Sequence, residues 1–584
     1  MFFRVFSFLC AFTVCLCAQP FTEPLFLNIT FPSPSDTVNA DRVRISGFTD
    51  PLARVSINDK PVSVFSQGSF VSQVNLDEEM NRILVTAQKG DQIVRDILFI
   101  YRPPKLTSWP QEPTRIDTAL IEPGNDIWLM QGSYITVKFK GSSGGTARFS
   151  VERLDNDLPM VELPPKDTGG VRGIYQGMVK LVGELPVNKP LEIKFELQGE
   201  DNRKKTIKAP GNLFILSDKQ PIIGRVTEST YIHGSAERYL PLFRTPPEVR
   251  VHIVGRFNGR FKVQLSVSQI GYIDIEAVKL LPMGSSLPRA EIGAPSITQD
   301  SDWLYLNFPI DQPVPAMVRN AQSLPILELL VFGAQQSSFW ITYPNTPVGI
   351  QSLTMQQIEE NLFQSTLQID ASQIWRYNID YFEQSLQFSI RRPPVINPGN
   401  PVQNIVFALD PGHGGEESGA ISPLGVMEKD INLLWAESLA DLLRSRGARV
   451  YLTRRGDETV SLPERIRRAQ AANAHIFLSL HNNATTAWGN AVAAQGTSTY
   501  FTLAQNKELV WAIYPHMVDL GLAPYGRIYN SYYVTNSTGF LVALIEGGFL
   551  THPTEELKLS DRAFIDRMAK AVYLGVVDFV KNSQ

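Results

Sequence analysis

Through the first two thirds of the chain, apolar and polar residues alternate with the period of half-buried strands. Arg54-Val55-Ser56-Ile57 and Leu386-Gln387-Phe388-Ser389-Ile390 are examples. Proline-rich breaks at residues 102–113, 217–221, 282–295 and 391–401 divide this pattern. The expected organisation is four all-β modules, at 25–101, 114–216, 222–281 and 296–391. The period changes after Pro401. A continuous apolar strand at 405–409 is followed by helical spacing through Ile431, Leu434, Trp435, Leu439, Leu442 and Leu443. Strands at 449–453, 476–480, 497–501 and 543–545 alternate with helices at 462–472, 507–520 and 562–580. Such alternation predicts an α/β domain with a mainly parallel sheet over residues 403–584.

Composition narrows the class. The chain has 584 residues, too many for one domain. With Lys plus Arg at 54 and Asp plus Glu at 58, the formal charge is −4, which argues against a nucleic-acid partner. All three cysteines, Cys10, Cys15 and Cys17, lie in an apolar N-terminal stretch that carries Arg4 and ends at the small Ala18. Residues 1–18 read as a secretory signal peptide, with a lipoprotein anchor at Cys17 as the weaker alternative. Cleavage after Ala18 leaves no thiolate ligand, no disulfide and no transmembrane span in the mature chain. The expected destination is the periplasm.

The candidate chemistry sits at predicted strand ends, where open α/β sheets collect their ligands. The first strand runs into Asp410-Pro411-Gly412-His413-Gly414-Gly415, the third into His481-Asn482-Asn483, and the last into Glu546-Gly547-Gly548. Glu428 stands just before the first amphipathic helix. Two imidazoles and one carboxylate suffice to hold a catalytic zinc with one position open, leaving a second carboxylate to take a proton. Glycines near His413 allow a tight turn, and Gly547 and Gly548 are expected to make room for substrate beside Glu546. Asp410 reads as a turn residue supporting a ligand. Asn483 reads either as a substrate contact or as a turn former. Arg454 reads either as a partner for a peptide carboxylate or as a solvated loop residue. The spacing of the first turn lacks the G-x-x-x-x-G-K-[ST] pattern of a phosphate loop.

These motifs (DPGHGG, Glu428-Lys429-Asp430 with Asn432, Leu452-Thr453-Arg454, Ser461-Leu462 with Arg465, SLHNNA and EGGFL) occur in one order. Together they resemble the zinc-dependent N-acetylmuramoyl-L-alanine amidases of bacterial cell walls, over about residues 403–582. The resemblance implies a six-stranded sheet, zinc held by His413, Glu428 and His481, and Glu546 as catalytic carboxylate. The implied substrate is peptidoglycan, cut between N-acetylmuramic acid and L-alanine. The chain departs from the family pattern at Gly547 and His552, and residues 485–495 are too few for the inhibitory helix some relatives carry. Control of the site would then fall to the β modules or to a protein activator acting through them. The first module resembles immunoglobulin-like sandwiches and the third SH3-like barrels; the fourth stands where related enzymes carry a wall-targeting domain. Two other readings stay open: a wall-binding scaffold with an inactive amidase domain, and a zinc peptidase acting on the stem peptide. His475 lies six strand residues from His481, roughly 20 Å, too far to share its ion. Trp109, Trp303, Trp340 and Trp375 are expected to pack in cores rather than stack on sugars.

Overall fold

The computed structural model describes residues 24–320, 325–341 and 349–583; the expected signal peptide, residues 1–18, lies outside them. The chain divides into two compact units. One holds the chain up to Pro103 together with Pro423–Gly425 and Thr486–Asn490; the other holds Pro104–Ser422, Val426–Thr485 and Ala491–Gln584. Among the described residues no helix is long and apolar enough to cross a membrane.

In the first unit the alternating pattern becomes two antiparallel sheets of three and four strands. Val43, Ile45, Phe70, Val85 and Ile100 fill the space they enclose, which is the paired-sheet arrangement that period-two patterning favours.

The second unit begins with β-structure as well. A seven-stranded sheet runs from Ile116–Glu122 to Lys204–Lys208. The break expected near residues 217–221 does not separate two sheets. Strands Ile127–Met130, Pro190–Leu191 and Leu213–Leu216 join the strands of residues 222–280 in a ten-stranded sheet, through the antiparallel pairing of Leu129 with Gly255. Two four-stranded sheets follow, sharing a core around Leu306, Phe308, Leu329, Phe363 and Phe388. Core packing of the tryptophans holds for Trp375, which is fully buried, and fails for Trp340, which is 83% exposed. Trp109 and Trp303 are half-buried beneath the cations of Lys140 and Arg376, at 4.0 and 4.9 Å.

The C-terminal domain is a six-stranded α/β sheet. In chain order its elements are β1 (Val406–Pro411), α1 (Glu428–Ser445), β2 (Arg449–Leu452), α2 (Leu462–Ala471), β3 (Ile476–Asn483), β4 (Thr497–Phe501), α3 (Lys507–Val518), β5 (Pro524–Tyr529), β6 (Leu541–Phe549), α4 (Glu555–Ser560) and α5 (Arg562–Asn582). The strand order is β2-β1-β3-β6-β4-β5, parallel except where β4 meets β6. Central strands β1, β3 and β6 are buried on both faces, so they read as apolar runs rather than alternations. Helices α1, α3 and α5 cover one face; α2 covers the other through Ile466 and Ala469 against Ala408, Phe477 and Val542. The stripe Ile431, Trp435, Leu439 and Leu443 is the buried face of α1. Strand β5 was not expected: in PYGRIY only alternate side chains are partly covered, the mark of an edge strand with little apolar pattern to show.

The proline-rich stretch before the domain is not the edge of its core. Trp375 packs with Phe579 and His475, at ring separations of 5.8 and 6.3 Å, inside the domain's own cluster. Gln373 Nε2 donates to the Gln505 carbonyl (2.9 Å) and the Tyr377 amide donates to the Thr538 carbonyl (3.2 Å).

Candidate metal centre

Parallel pairing brings the site together. Asp410 pairs with Ser479 and Pro411 with Leu480, so the chain leaving β1 turns beside the end of β3. On the other side of β3, His481 stands in register with Glu546 of β6. Register partners on neighbouring strands point to the same face, roughly 5 Å apart. Glu428 enters from the first turn of α1.

His413, Glu428 and His481 each offer one ligand atom, and the three atoms lie within 4.8 Å of one another. Glu428 Oε2 is 3.2 Å from His413 Nε2, and Oε1 is 3.0 Å from His481 Nδ1. The carboxylate is 4% exposed. Ala420 N donates to Oε2, while Asn482 N and Asn432 Nδ2 donate to Oε1. Burial alone would raise the Glu428 pKa, but the hydrogen bonds and charges of the two imidazoles outweigh it and hold the carboxyl well below its usual range. At His413, burial works against the charged form, and the bond to Glu428 overrides it and raises the pKa.

Glu546 behaves in the opposite way. Its side chain is partly exposed but its Oε2 is buried, and desolvation followed by the Glu428 charge pushes its pKa well above the carboxylate range. Among the described residues its Oε2 has no hydrogen-bond partner. A buried, unpartnered carboxylate oxygen beside a cluster of two imidazoles and a carboxylate is costly unless something else engages it. Two nitrogens and one oxygen with an open side suit a catalytic zinc, so the residues present fit that metal.

The turn carrying His413 is strained and heavily braced. His413 has φ of 61°, a left-handed conformation rare outside glycine. Arg465 donates to the His413 carbonyl (2.8 Å), the Pro411 carbonyl (2.8 Å) and Asp410 Oδ1 (2.8 Å). Asp410 also accepts from Thr453 Oγ1 (2.5 Å) and Ser479 Oγ (2.8 Å), so it anchors the end of β1, in keeping with a supporting turn residue. Arg454 departs from both of its expected readings. It is buried, and its guanidinium donates to the carbonyls of Pro411, Gly412, Lys429 and Gly456. With its donors committed to backbone, it braces the turn instead of meeting a ligand or solvent.

Three glycines matter, for different reasons. A Cβ on Gly412 would lie 2.1 Å from the His481 ring, so glycine is what admits that imidazole. Gly547 does not make room for substrate, as the sequence suggested. A Cβ there would meet Asn482 Oδ1 (2.6 Å), Met568 Sδ (3.1 Å) and Trp435 (3.3 Å), all in the interior; one on Gly548 would meet Glu555 and Leu559. These glycines let helices and the Asn482 amide close against β6.

Asn483 Nδ2 donates to Ser498 Oγ (3.1 Å), and Ser498 is the antiparallel register partner of Glu546. Ser498 Oγ in turn donates to Tyr500 Oη (3.3 Å). Ser498 and Tyr500 escaped the sequence reading, because nothing in β4 marks which end of the strand reaches the rim. His475 stays away from the cluster: its Nδ1 accepts from Val406 N (2.9 Å). His552 Nδ1 accepts from the amides of Thr554 and Glu555, capping the turn into α4. Residues 484–496 contain no helix.

Residues 407–578 match the N-acetylmuramoyl-L-alanine amidase family Amidase_3. The N-acetylmuramoyl-L-alanine amidase LytC of Bacillus subtilis is 33% identical over 187 residues, which are 31% of this chain and 37% of LytC. The uncharacterized protein YqiI of the same organism is 31% identical over 188 residues, again 31% of this chain but 88% of YqiI. Among solved structures, the N-acetylmuramoyl-L-alanine amidase of Clostridium difficile 630 is 30% identical, with 31% of this chain and 100% of that chain covered and a TM-score of 0.30. The chain thus spans little more than a third of LytC, and the residues before the matched segment lie outside the likeness. Through its C-terminal α/β domain, this chain belongs to the N-acetylmuramoyl-L-alanine amidase family.

Proposed function

We propose that this protein is a zinc-dependent hydrolase of peptidoglycan that cleaves the amide between N-acetylmuramic acid and the L-alanine of the stem peptide. The observation that carries the reading is the pairing of a His413–Glu428–His481 cluster with an unpartnered Glu546 beside it. His413, Glu428 and His481 would hold the zinc, with Asn432 and Asn482 orienting the Glu428 carboxylate. Zinc bound there supplies a Lewis acid for the lactyl carbonyl and lowers the pKa of water.

The chain's own part is proton transfer and positioning. Glu546 takes a proton from the attacking water as the water oxygen bonds to the carbonyl carbon. It returns that proton to the alanine nitrogen as the C–N bond breaks. Asn483 and Ser498 line the Glu546 side of the rim and are the candidates for orienting the peptide. Export to the periplasm through the N-terminal signal, immunoglobulin-like and SH3-like modules ahead of the enzyme, and an activator acting through those modules belong to the same proposal.

Product analysis tests the reading. Purified peptidoglycan treated with the protein should yield intact stem peptides with free N-terminal alanine and unsubstituted glycan. A chelator should stop the reaction. Glu546→Gln should bind zinc within a few-fold of the parent, with turnover down by at least about a hundredfold. Shortened peptides still attached to sugar would establish a peptidase instead. Zinc binding without any product would establish a wall-binding scaffold.

A further inference from the structure

A second polar cavity, of about 400 Å³, lies in the larger unit at the opposite end of the catalytic sheet. Thr538, on its wall, precedes the first residue of β6, and Glu546 stands five strand residues beyond Leu541, roughly 17 Å along the strand. The cavity is therefore separate from the metal centre.

Its charged groups come from two sheets. Tyr231 and Arg244 are register partners, so their side chains share a face. Asn378 and Asp380 alternate along the strand Tyr377–Phe382 and so share a face of it, and Arg376, which also lines the cavity, immediately precedes that strand. Arg376 is stacked on Trp303 and donates from Nη1 to Asn473 Oδ1 (3.2 Å), yet its Nε is buried with no hydrogen-bond partner. Burial lowers its pKa to about 10. Among the described residues Asp380 has no hydrogen bond or ion pair to its carboxylate; burial raises its pKa, against the charges of Arg376 and Arg244. Two guanidinium groups and one carboxylate thus face one space without neutralising each other directly. A half-buried cation with a buried spare donor and a half-buried free carboxylate are both expensive to leave unmet. The cavity has the size of a small-molecule site.

We infer that this cavity binds a free amino-acid head group on a short peptide, with ammonium and carboxylate on one carbon, its carboxylate against Arg376 and Arg244 and its ammonium against Asp380. The side-chain end of a diaminopimelyl residue in a peptidoglycan stem is such a group, and taking the ligand from there rests on the amidase reading above. A site on the far rim would hold wall peptide without occupying the catalytic rim.

Calorimetric titration of the full chain, stripped of metal with a chelator, with the synthetic stem tetrapeptide L-Ala-γ-D-Glu-diaminopimelyl-D-Ala tests the site away from the metal centre. Binding should persist in chelator, weaken at least tenfold in Arg376→Met and in Asp380→Asn, and weaken in Arg244→Gln, an exposed position where folding is not at stake. Melting curves confirm that each variant is folded. Hydrolysis of a soluble muramoyl-peptide should be unchanged in all three. No binding by the folded parent, or binding unaffected by folded Arg244→Gln and Asp380→Asn, overturns the inference. So does equal binding of glutarate, which has carboxylates and no amine. Peptide binding with these dependences in a protein that hydrolyses no peptidoglycan would uphold the cavity and sink the amidase reading; hydrolysis without cavity binding would do the reverse.

Discussion

His481 and Glu546 stand side by side in register on adjacent parallel strands, one offered to a metal cluster and the other left with an unpartnered oxygen. Hydrogen bonding across the sheet, not the loops, therefore sets the spacing between the proposed metal ligand and the proposed proton carrier. A strand pair is a stiff mount for two groups that must act together.

That mount depends on Gly412. Its missing side chain is filled by the His481 ring, so Gly412→Ala should displace the imidazole while leaving the sheet paired. Zinc affinity measured by competition with a chromophoric chelator should fall by about ten- to a hundredfold. The melting temperature should fall only slightly.

Arg465 and Asp410 form an ion pair at 2.8 Å, with side chains 2% and 1% exposed. Removing one member strands the other charge in the interior. Arg465→Met should cost about 3–5 kcal/mol of stability in denaturant unfolding. It should also loosen the left-handed His413 turn, which loses the donor to its carbonyl. Proteolysis within residues 412–420 should then quicken before the rest of the domain opens.

Trp375 ties the preceding β-structure into the core of the α/β domain. Trp375→Ala should destabilise the α/β domain by about 3–5 kcal/mol, read from unfolding of the metal-free protein. A fragment starting at residue 403 should melt well below the full chain, because the indole pocket against Phe579 would be empty.

Two buried histidines predict acid sensitivity. Burial lowers His475 to about 3 and His233 to about 4 from an ordinary 6.5. Because the unfolded chain takes up these protons first as pH falls, stability is complete above pH 6.5 and is lost progressively from there down toward pH 3. Each site contributes a slope of at most about 1.4 kcal/mol per pH unit. His475→Gln, whose amide oxygen can accept from Val406 N, should flatten the fall in denaturant midpoint between pH 6.5 and 4. An unchanged slope would remove His475 as its source.

The meeting of His413, Glu428 and His481 was legible because polar residues follow directly from buried apolar strands, and a polar group at such a strand end has little structural reason to be there. His413, His481 and Glu546 all meet that description; Glu428 was visible from its place at the start of an amphipathic helix. What the sequence concealed were the partners. Arg454 looked like a loop residue because its loop is polar, yet its guanidinium is drawn inward by carbonyls that a tight turn leaves exposed. Gly547 looked like an opening for substrate, since a sequence does not say which side of a strand the interior lies on. The far cavity was invisible, because Arg244 and Asp380 come from strands, and Arg376 from the residue just before one, whose alternating pattern marks a covered face but not what covers it.

The one antiparallel junction in the sheet also shapes how this site can change. Because β4 runs against β6, the connection from Asn483 to Thr497 starts and finishes on the same rim as Glu546. Chain can be inserted or deleted there without shifting any strand by a residue. Access to the His413–Glu428–His481 cluster and Glu546 is thus open to revision by indels alone, while the scaffold that aligns them is inherited intact.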